Sequence, residues 1–272
     1  MPIIAITREM GSLGKDVARV LGAELKLPVV YHEVIDHLAD RMRVRKSHVI
    51  RLLDGSAGLL ERMTADKTSL SIFTADEILG IAAKGAVIRG WGATHLLREV
   101  PHAVCVRVCA PFETRKHRMM ERLNSDDEVQ VAEEIRSNDE AHGAIMRRHF
   151  ELQWTDSEHY DLVLNTKRVT VEECVAEVLA LVRSPQFAET AHARLQLADM
   201  SLTAAVRAAL RRAPETRDAE VAVSCDAGRV TLSGAGSTDQ MLAFAEVASA
   251  VPGVRDVAYR TQPGEELRPR FH

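Results

Sequence analysis

Short apolar runs rich in β-branched residues alternate with stretches of helical periodicity over the first two thirds of the chain. The runs that predict strands are residues 2–7, 29–31, 86–88, 103–109 and 160–164. Helical spacing predicts helices over residues 15–27, 33–42, 74–84, 128–151 and 171–182, with two more that begin after the turn at 90–92 and at Pro111. Strands that alternate with helices predict an α/β fold, with a parallel sheet covered by helices on both faces.

The pattern changes at Ser184-Pro185, where a polar connector begins. Beyond the connector, the periodicity predicts a small αββαβ domain with elements at 202–212, 220–225, 229–233, 238–251 and 254–260. Gly228 suits the left-handed position of the turn between the two strands of the hairpin. We therefore predict a first domain over 1–183, a linker over 184–198, the small domain over 199–262 and a tail over 263–272.

One helix start carries a specific local signal. Thr74 is followed three residues later by Glu77, which is the pattern of a capping box. The sequence therefore predicts that a helix begins at Thr74, whereas the residues before it have only weak helical periodicity.

Composition narrows the functional classes. The 272 residues carry a formal net charge of −4, and no part of the chain has the net basic charge typical of a nucleic-acid-binding domain. The N-terminus lacks the features of a secretory signal, and no apolar run approaches the ~20 residues of a membrane helix. The four cysteines are scattered, which favours reduced core thiols over a zinc site. We expect a cytoplasmic protein.

The first predicted strand leads through a glycine-containing loop directly into a helix. Gly11 and Gly14 let the backbone approach a ligand closely, Ser12 lies between them, and Lys15 adds a mobile cation. Backbone N–H groups at the start of the helix favour an anion there. This arrangement predicts a phosphate-binding loop.

The match to the P-loop pattern GxxxxGK[ST] is partial. Glu9 stands at the first glycine position, and Asp16 replaces the Ser/Thr that helps to hold Mg²⁺. A Gly-Lys-Asp helix start with only a structural role has the same sequence. These residues alone leave both interpretations open.

Three arginines recur on one face of the helix that follows Pro111. Arg115, Arg118 and Arg122 have i, i+3 and i+7 spacing, which places them on the same side. Three guanidinium groups on one side suit the transferring phosphoryl group of a triphosphate. A solvated surface face, supported by Glu113 and Glu121, is the alternative.

Several motifs in the same order resemble the cytidylate-kinase-like family. The stretch Ile-Thr-Arg-Glu-Met-Gly-Ser-Leu-Gly-Lys-Asp-Val-Ala at 6–18 is similar to that family's altered phosphate loop. Lys-Gly-Ala-Val-Ile at 84–88, the arginine helix, Trp154 and Tyr-Asp-Leu-Val-Leu-Asn at 160–165 resemble later landmarks. The resemblance covers about residues 2–182 and implies a P-loop kinase fold.

The resemblance implies a nucleoside monophosphate kinase that uses ATP and Mg²⁺, with CMP or dCMP as the suggested acceptor. The residues that would bind the nucleotide are Arg8, Gly11, Ser12, Gly14, Lys15 and Asp16. The residues that would act in catalysis are Lys15, Arg115, Arg118, Arg122 and Asp139.

Some family positions carry other residues. Trp91 stands where the family has an arginine, although Arg89 is nearby, and His142 replaces the arginine of Asp-x-x-Arg, which begins at Asp139. Tyr31 or His32 stands where the family has an aspartate. These departures favour a second hypothesis, a nucleotide-binding sensor with little or no turnover.

The second domain resembles the BON module. The residues that carry the likeness are Val221-Ala-Val, Gly228-Arg-Val-Thr-Leu-Ser-Gly and Val251-Pro-Gly-Val-x-x-Val. From residue 200 onward nine arginines balance nine acidic residues, so binding to anionic membranes is doubtful. We expect this module to regulate or localise the first domain, or to form a homo-oligomer. An adaptor whose first domain is only a scaffold is the weakest alternative.

Overall fold

The computed structural model describes residues 1–31, 38–42, 44–47, 49, 67–90, 92–150, 152–218, 220–234 and 237–260. The chain divides into two compact units, Met1–Ala193 and Arg194–His272. None of the described helices combines the length and apolar character that crossing a bilayer requires. The predicted helix over 33–42 and the weakly periodic stretch after it lie mostly outside the described residues.

The first unit alternates strands and helices as the sequence predicts. Its strands are β1 (Ile3–Arg8), β2 (Val29–Val30), β3 (Ala86–Arg89), β4 (Ala103–Cys109) and β5 (Leu162–Asn165). Its labelled helices are α1 (Gly14–Leu25), α2 (Lys67–Ala82), α3 (Ala93–Leu97), α4 (Phe112–Leu123), α5 (Glu128–Phe150) and α6 (Val171–Val182).

The five strands form one parallel sheet in the order β2-β3-β1-β4-β5. The connection after β1 runs towards β2, and the connection after β4 runs towards β5 on the other side. Adjacent strands whose connections diverge open a crevice at their carboxyl ends, where ligands bind in open α/β sheets. The topology therefore places a crevice above β1 and β4, beside the predicted phosphate loop.

Alternate residues of β1 face opposite helical layers. Ile4 and Ile6 pack in one apolar cluster with side chains of α1 and α6. Thr7, on the other face, shares a 2.9 Å hydrogen bond between its Oγ1 and that of Thr94 in α3. Both faces of the sheet are therefore covered, which confirms the predicted α/β fold class.

The predicted helix start at Thr74 is wrong. Helix α2 begins at Lys67, and the Thr74 hydroxyl donates a 2.7 Å hydrogen bond to the Leu70 carbonyl one turn earlier. Glu77 pairs with Arg41 instead of closing a capping box. A threonine that bonds the i−4 carbonyl has the same sequence spacing as an N-cap, so the pattern was ambiguous.

The second unit contains α7 (Ala191–Arg212) from Arg194 onward, followed by β6 (Ala222–Asp226), β7 (Arg229–Ser233), α8 (Thr238–Ser249) and β8 (Asp256–Arg260). The antiparallel hairpin β6-β7 and the parallel neighbour β8 form a three-stranded sheet. Its apolar cluster joins α7, α8 and the inward sides of the strands. Helix α7 begins at Ala191 and not at 202, so it includes part of the predicted linker, whose bounds stay a prediction.

The hairpin turn is held by a carboxylate from α7. Ala227 and Gly228 both have positive φ angles, 49° and 80°, as a two-residue hairpin turn requires. Asp199 accepts hydrogen bonds from their backbone N–H groups at 2.9 and 3.2 Å. The sequence predicted the role of the glycine but not this cap from a distant residue.

Two helix-interior glycines differ in what surrounds them, which provides a stability test. A Cβ at Gly22 would lie 2.4 Å from Cγ2 of Val29, whereas a Cβ at Gly80 would meet no atom of the described residues within 4 Å. We expect Gly80→Ala to stabilise the protein by about 0.5–1 kcal/mol, because alanine favours the helix. Gly22→Ala should destabilise it by about 1–3 kcal/mol through overpacking. Urea unfolding measures both, and equal effects would contradict the packing of α1 on β2.

Candidate functional site

A cleft of about 610 Å³ lies at the carboxyl ends of the strands, as the topology predicts. The loop after β1, the end of β3 and the exposed side of α4 surround it. The lining residues are Arg8, Glu9, Gly11, Leu13, Gly14, Lys15, Asp16, Tyr31, Arg89, Arg118, Met119, Glu121 and Arg122. The cleft therefore joins five basic and three acidic side chains.

The two loop glycines are required by packing inside the protein. Gly11 has a φ of +79°, and a Cβ there would lie 2.7 Å from the Arg115 carbonyl oxygen. A Cβ at Gly14 would lie 2.6 Å from Cβ of Arg8. The glycines set the shape of the loop, and they do not by themselves identify a ligand.

The start of α1 is open. Within the described ranges, no hydrogen bond satisfies the backbone N–H groups of Leu13, Gly14 and Lys15, and no side chain caps the helix. Leu13 holds the turn in a left-handed conformation with a φ of 63°. Unpaired N–H groups at the positive end of a helix form an anion-binding position.

Glu9 does not block this position, although it stands where a P-loop has glycine. Its carboxylate accepts hydrogen bonds from Arg107 Nη2 at 2.7 Å and from the Ala110 backbone N–H at 3.1 Å. Arg115 Nε lies 3.4 Å from the same carboxylate. These contacts draw the acidic group towards β4 and α4 and leave the helix start accessible.

The cations of the cleft lack acidic partners. In the part of the chain that the structure describes, neither Arg8, Lys15 nor Arg122 forms a hydrogen bond or an ion pair. Arg89, which is only 7% exposed, stacks on the Tyr31 ring with Cζ 4.1 Å from the ring centroid. Burial lowers the pKa of Arg8 and of Arg89. Arginines that are shielded from water and form no ion pair with a described residue indicate a site for an anionic ligand.

Two of the three arginines of α4 reach the cleft. Arg118 and Arg122 line it, and Arg118 donates hydrogen bonds to Oγ1 and O of Thr166, at 2.9 and 2.7 Å. These bonds fix the Arg118 guanidinium beside the loop, because Thr166 itself donates to the Ser12 carbonyl at 2.9 Å.

Arg115 does not line the cleft with them, and its role in catalysis stays a prediction. Its guanidinium is buried and forms two hydrogen bonds to the Asp139 carboxylate, at 3.1 and 2.8 Å. It also donates to the carbonyls of Met10 and Ala110, at 3.3 and 3.1 Å. The Arg115 side chain therefore points into the protein, where its hydrogen bonds connect the loop, α4 and α5. Asp139, predicted as catalytic, is likewise outside the cleft lining.

Burial dominates the electrostatics of Asp139. Burial raises the pKa of this carboxyl group, although the hydrogen bonds and charge of Arg115 act in the opposite direction.

Ser12, predicted to bind nucleotide, is also enclosed: it is fully buried, and its Oγ has no partner among the described residues. Ser12 therefore contributes to the interior of the loop.

His142, which replaces the family's arginine, does not supply a positive charge at neutral pH. Burial, followed by the positive charges of Arg8 and Arg107, lowers the pKa of His142 to about 4. Its ring lies edge-on to Trp154, with centroids 4.4 Å apart. At neutral pH the family's fixed charge is therefore absent at this position. Trp91 and His32 lie outside the described residues.

Arg89, Tyr31 and Thr166 line or support the cleft but were not among the predicted site residues. Each stands at or just after the carboxyl end of a strand: β3, β2 and β5 respectively. Their positions at the strand ends were a usable signal, because ligands bind at that edge of a parallel sheet.

The residues present fit a polyphosphate with a bound Mg²⁺. Asp16 lines the cleft beside Lys15 and supplies one carboxylate. Mg²⁺ is commonly held by one or two carboxylates together with substrate phosphates and water. No cluster of three acidic, histidine or cysteine side chains suited to a metal occurs in the described ranges, so the phosphates would supply further ligands.

Comparison with known proteins yields two family matches. The model of the cytidylate kinase-like family matches residues 3–168, and the model of the BON domain matches residues 198–262. The search of curated proteins found no match.

Solved structures match about two thirds of the chain. An uncharacterized protein from Eubacterium ventriosum ATCC 27560 is 24% identical with a TM-score of 0.52, over 68% of this chain and 99% of that chain. Shikimate kinase from Acinetobacter baumannii in complex with shikimate is 14% identical with a TM-score of 0.42, over 69% and 96%. Shikimate kinase from Bacteroides thetaiotaomicron is 15% identical with a TM-score of 0.39, over 67% and 99%. Of these three structures, only that of the Eubacterium ventriosum protein has a TM-score above 0.5, which supports a common fold.

The buried neutral state of His142 predicts a pH dependence of stability. Its folded pKa of about 4 lies below the usual 6.5, so below pH 6.5 the unfolded chain binds a proton that the folded chain does not. The free energy of unfolding should therefore fall between about pH 6.5 and 4, by on the order of 2–3 kcal/mol from this residue. Urea unfolding of wild type and His142→Gln across this range isolates the effect. A stability difference that stays constant with pH would contradict it.

Proposed function

The chain belongs to the cytidylate kinase-like family, and on that premise we propose that its first unit transfers a phosphoryl group from ATP to a nucleoside monophosphate. CMP or dCMP is the acceptor that the family suggests. The observation that carries the proposal is the cleft in which five cations, none of them paired with an acidic side chain among the described residues, surround the open start of α1. Such a site fits a ligand with several phosphates.

The loop would bind the terminal phosphates of the donor. The free N–H groups of Leu13, Gly14 and Lys15 would donate to phosphate oxygens, and the exposed Lys15 ammonium would follow them as a mobile cation. The helix dipole adds favourable partial charge at the same place. Asp16 would hold Mg²⁺, which when bound neutralises charge on the phosphates.

Arg118 and Arg122 would stabilise the group in transfer. Phosphoryl transfer spreads negative charge over the equatorial oxygens, so catalysis depends on positioned donors more than on covalent chemistry. Thr166 holds the Arg118 guanidinium in place before any ligand arrives. Arg115 and Asp139 act as positioning residues, because their paired hydrogen bonds fix α4 to α5.

The end of the cleft next to β2 and β3 suits an anionic acceptor. Arg8 and Arg89 lie there, and Tyr31 supports the Arg89 guanidinium from one side. A phosphomonoester would supply the negative charge that these buried arginines lack. Arg89 would then supply a charge that the family places two residues later in the chain, where this protein has Trp91.

A nucleotide-binding sensor is the second candidate. The observation that favours it is the neutral His142, which removes one cation from the family's pattern. Loss of a single arginine from a phosphoryl-transfer site can lower the rate by orders of magnitude. In this case the first unit would bind ATP without turnover, and the BON domain would report the bound state.

Removal of the Lys15 ammonium should weaken ATP binding. We expect Lys15→Ala to raise the Kd for ATP·Mg²⁺ about 10- to 100-fold, as loss of one charge-assisted contact predicts. Arg19→Ala is the matched control, because Arg19 is exposed one turn farther along α1 and outside the cleft. Titration calorimetry measures both. If ATP binds equally to both variants and wild type, the loop is not the phosphate site.

Turnover separates the kinase from the sensor. We expect ATP, Mg²⁺ and one member of a nucleoside monophosphate panel to give a diphosphate, and Arg122→Met to lower kcat about 100-fold or more. Lys116→Met is the control, since Lys116 pairs with Glu113 and Glu128 away from the cleft. ATP binding without any diphosphate would select the sensor, and failure to bind ATP would exclude both.

A further inference from the structure

The three-stranded sheet of the second unit has an open edge at β8. This strand pairs with β7 on one side, and no described strand pairs with its other side. An unpaired edge presents a row of free N–H and C=O groups that can accept another strand. The edge therefore has the hydrogen-bonding capacity for one more partner strand.

A groove of about 570 Å³ lies at the start of β8, between α8 and residues 254–257. Its wall on α8 consists of Leu242, Ala245, Glu246 and Ser249, which recur on one helical face, and its floor is residues 254–257. Leu242 is 65% exposed, which is unusual for a leucine beside a core. Ala245 and Ser249 are small enough to allow a second helix to approach closely.

The sequence of β8 is complementary to itself when two copies run antiparallel. In a pair centred on Ala258, Asp256 of each copy lies opposite Arg260 of the other. Val257 lies opposite Tyr259, which gives a β-branched residue paired with an aromatic one. Opposite charges and aromatic-aliphatic pairs are the cross-strand combinations that stabilise antiparallel sheets.

The two faces of β8 support the same register. Val257 and Tyr259 pack against the apolar cluster of the unit, so pairing would extend this cluster from one copy into the next. Asp256 and Arg260 are exposed on the other face, where their charge pairs would lie in solvent. Charged residues of one sign would protect the edge against self-association, whereas this alternation of signs permits it.

We propose that β8 and α8 form a two-fold symmetric interface between two copies of the chain. The strands join antiparallel about Ala258 into a six-stranded sheet, and the Leu242 faces of the two α8 helices pack beside it. An isologous contact of this kind closes on itself and gives a dimer. Five-residue strands and one helical face make a small interface, so we expect dissociation on the order of micromolar.

Sedimentation velocity of the 272-residue chain between about 1 and 200 µM tests the proposal. Wild type should change from monomer to dimer across this range. Arg260→Asp places two aspartates opposite each other at both ends of the pair, and it should weaken dimerisation about tenfold or more. The double variant Asp256→Arg/Arg260→Asp restores both opposite-charge pairs and should recover the dimer.

An equimolar mixture of Asp256→Arg and Arg260→Asp chains should form heterodimers, although each variant alone remains mostly monomeric. Asp218→Arg is the matched control, because Asp218 is exposed in the turn after α7 and far along the chain from β8. Thermal unfolding of each variant verifies that it is folded. A monomeric wild type, or a dimer indifferent to these charge changes, overturns the proposal. A chain that stays monomeric by itself but sediments together with anionic vesicles would show that the β8 edge binds lipid, and this result also overturns the proposal.

Discussion

The Glu9 carboxylate, held by Arg107, Arg115 and one backbone amide, is the interaction on which the candidate site depends. Glu9 lines the cleft, and its carboxylate would repel an anionic ligand there if its charge were not paired. Two guanidinium groups and the Ala110 N–H give it a complete set of partners elsewhere, which compensates its desolvation. The same contacts bring Arg115 beneath the loop, where it binds Asp139 and two carbonyls. Glu9, whose charge is unfavourable for an anion site, thus holds the loop in place through these contacts.

The closely spaced cations of the cleft lower the stability of the folded protein. Arg8, Arg89 and Arg122 lie within electrostatic reach of one another, and their mutual repulsion adds to the effect of burial. A fold selected for stability alone would pair these cations with carboxylates. Unfavourable electrostatics of this kind persist at functional sites, where a ligand of opposite charge relieves them.

Much of this architecture could be predicted from the sequence, because strands and helices differ in hydrophobic period. The bounds of β4 and α6 agree with the prediction, since alternating valines and a regular apolar stripe leave no competing pattern. The helix start at Thr74 could not be decided locally, because a threonine that bonds within a helix has the spacing of a cap. True capping boxes occur instead at Thr170 and Ser237. The inward turn of Arg115 could not be predicted either, since its partners Asp139 and Met10 are distant in sequence.

The close contact between Gly11 and the Arg115 carbonyl has a mechanical consequence. The loop after β1 and the first turn of α4 touch without an intervening side chain, so neither can tilt independently of the other. Any motion of α4 that brings Arg118 and Arg122 over a ligand would press on the loop beneath it. Thermodynamic reciprocity then requires that a ligand which favours one position of the loop also favours the matching position of the helix. Binding of a ligand by the loop and movement of α4 over that ligand would then be one coupled motion, transmitted through a backbone contact that only glycine permits.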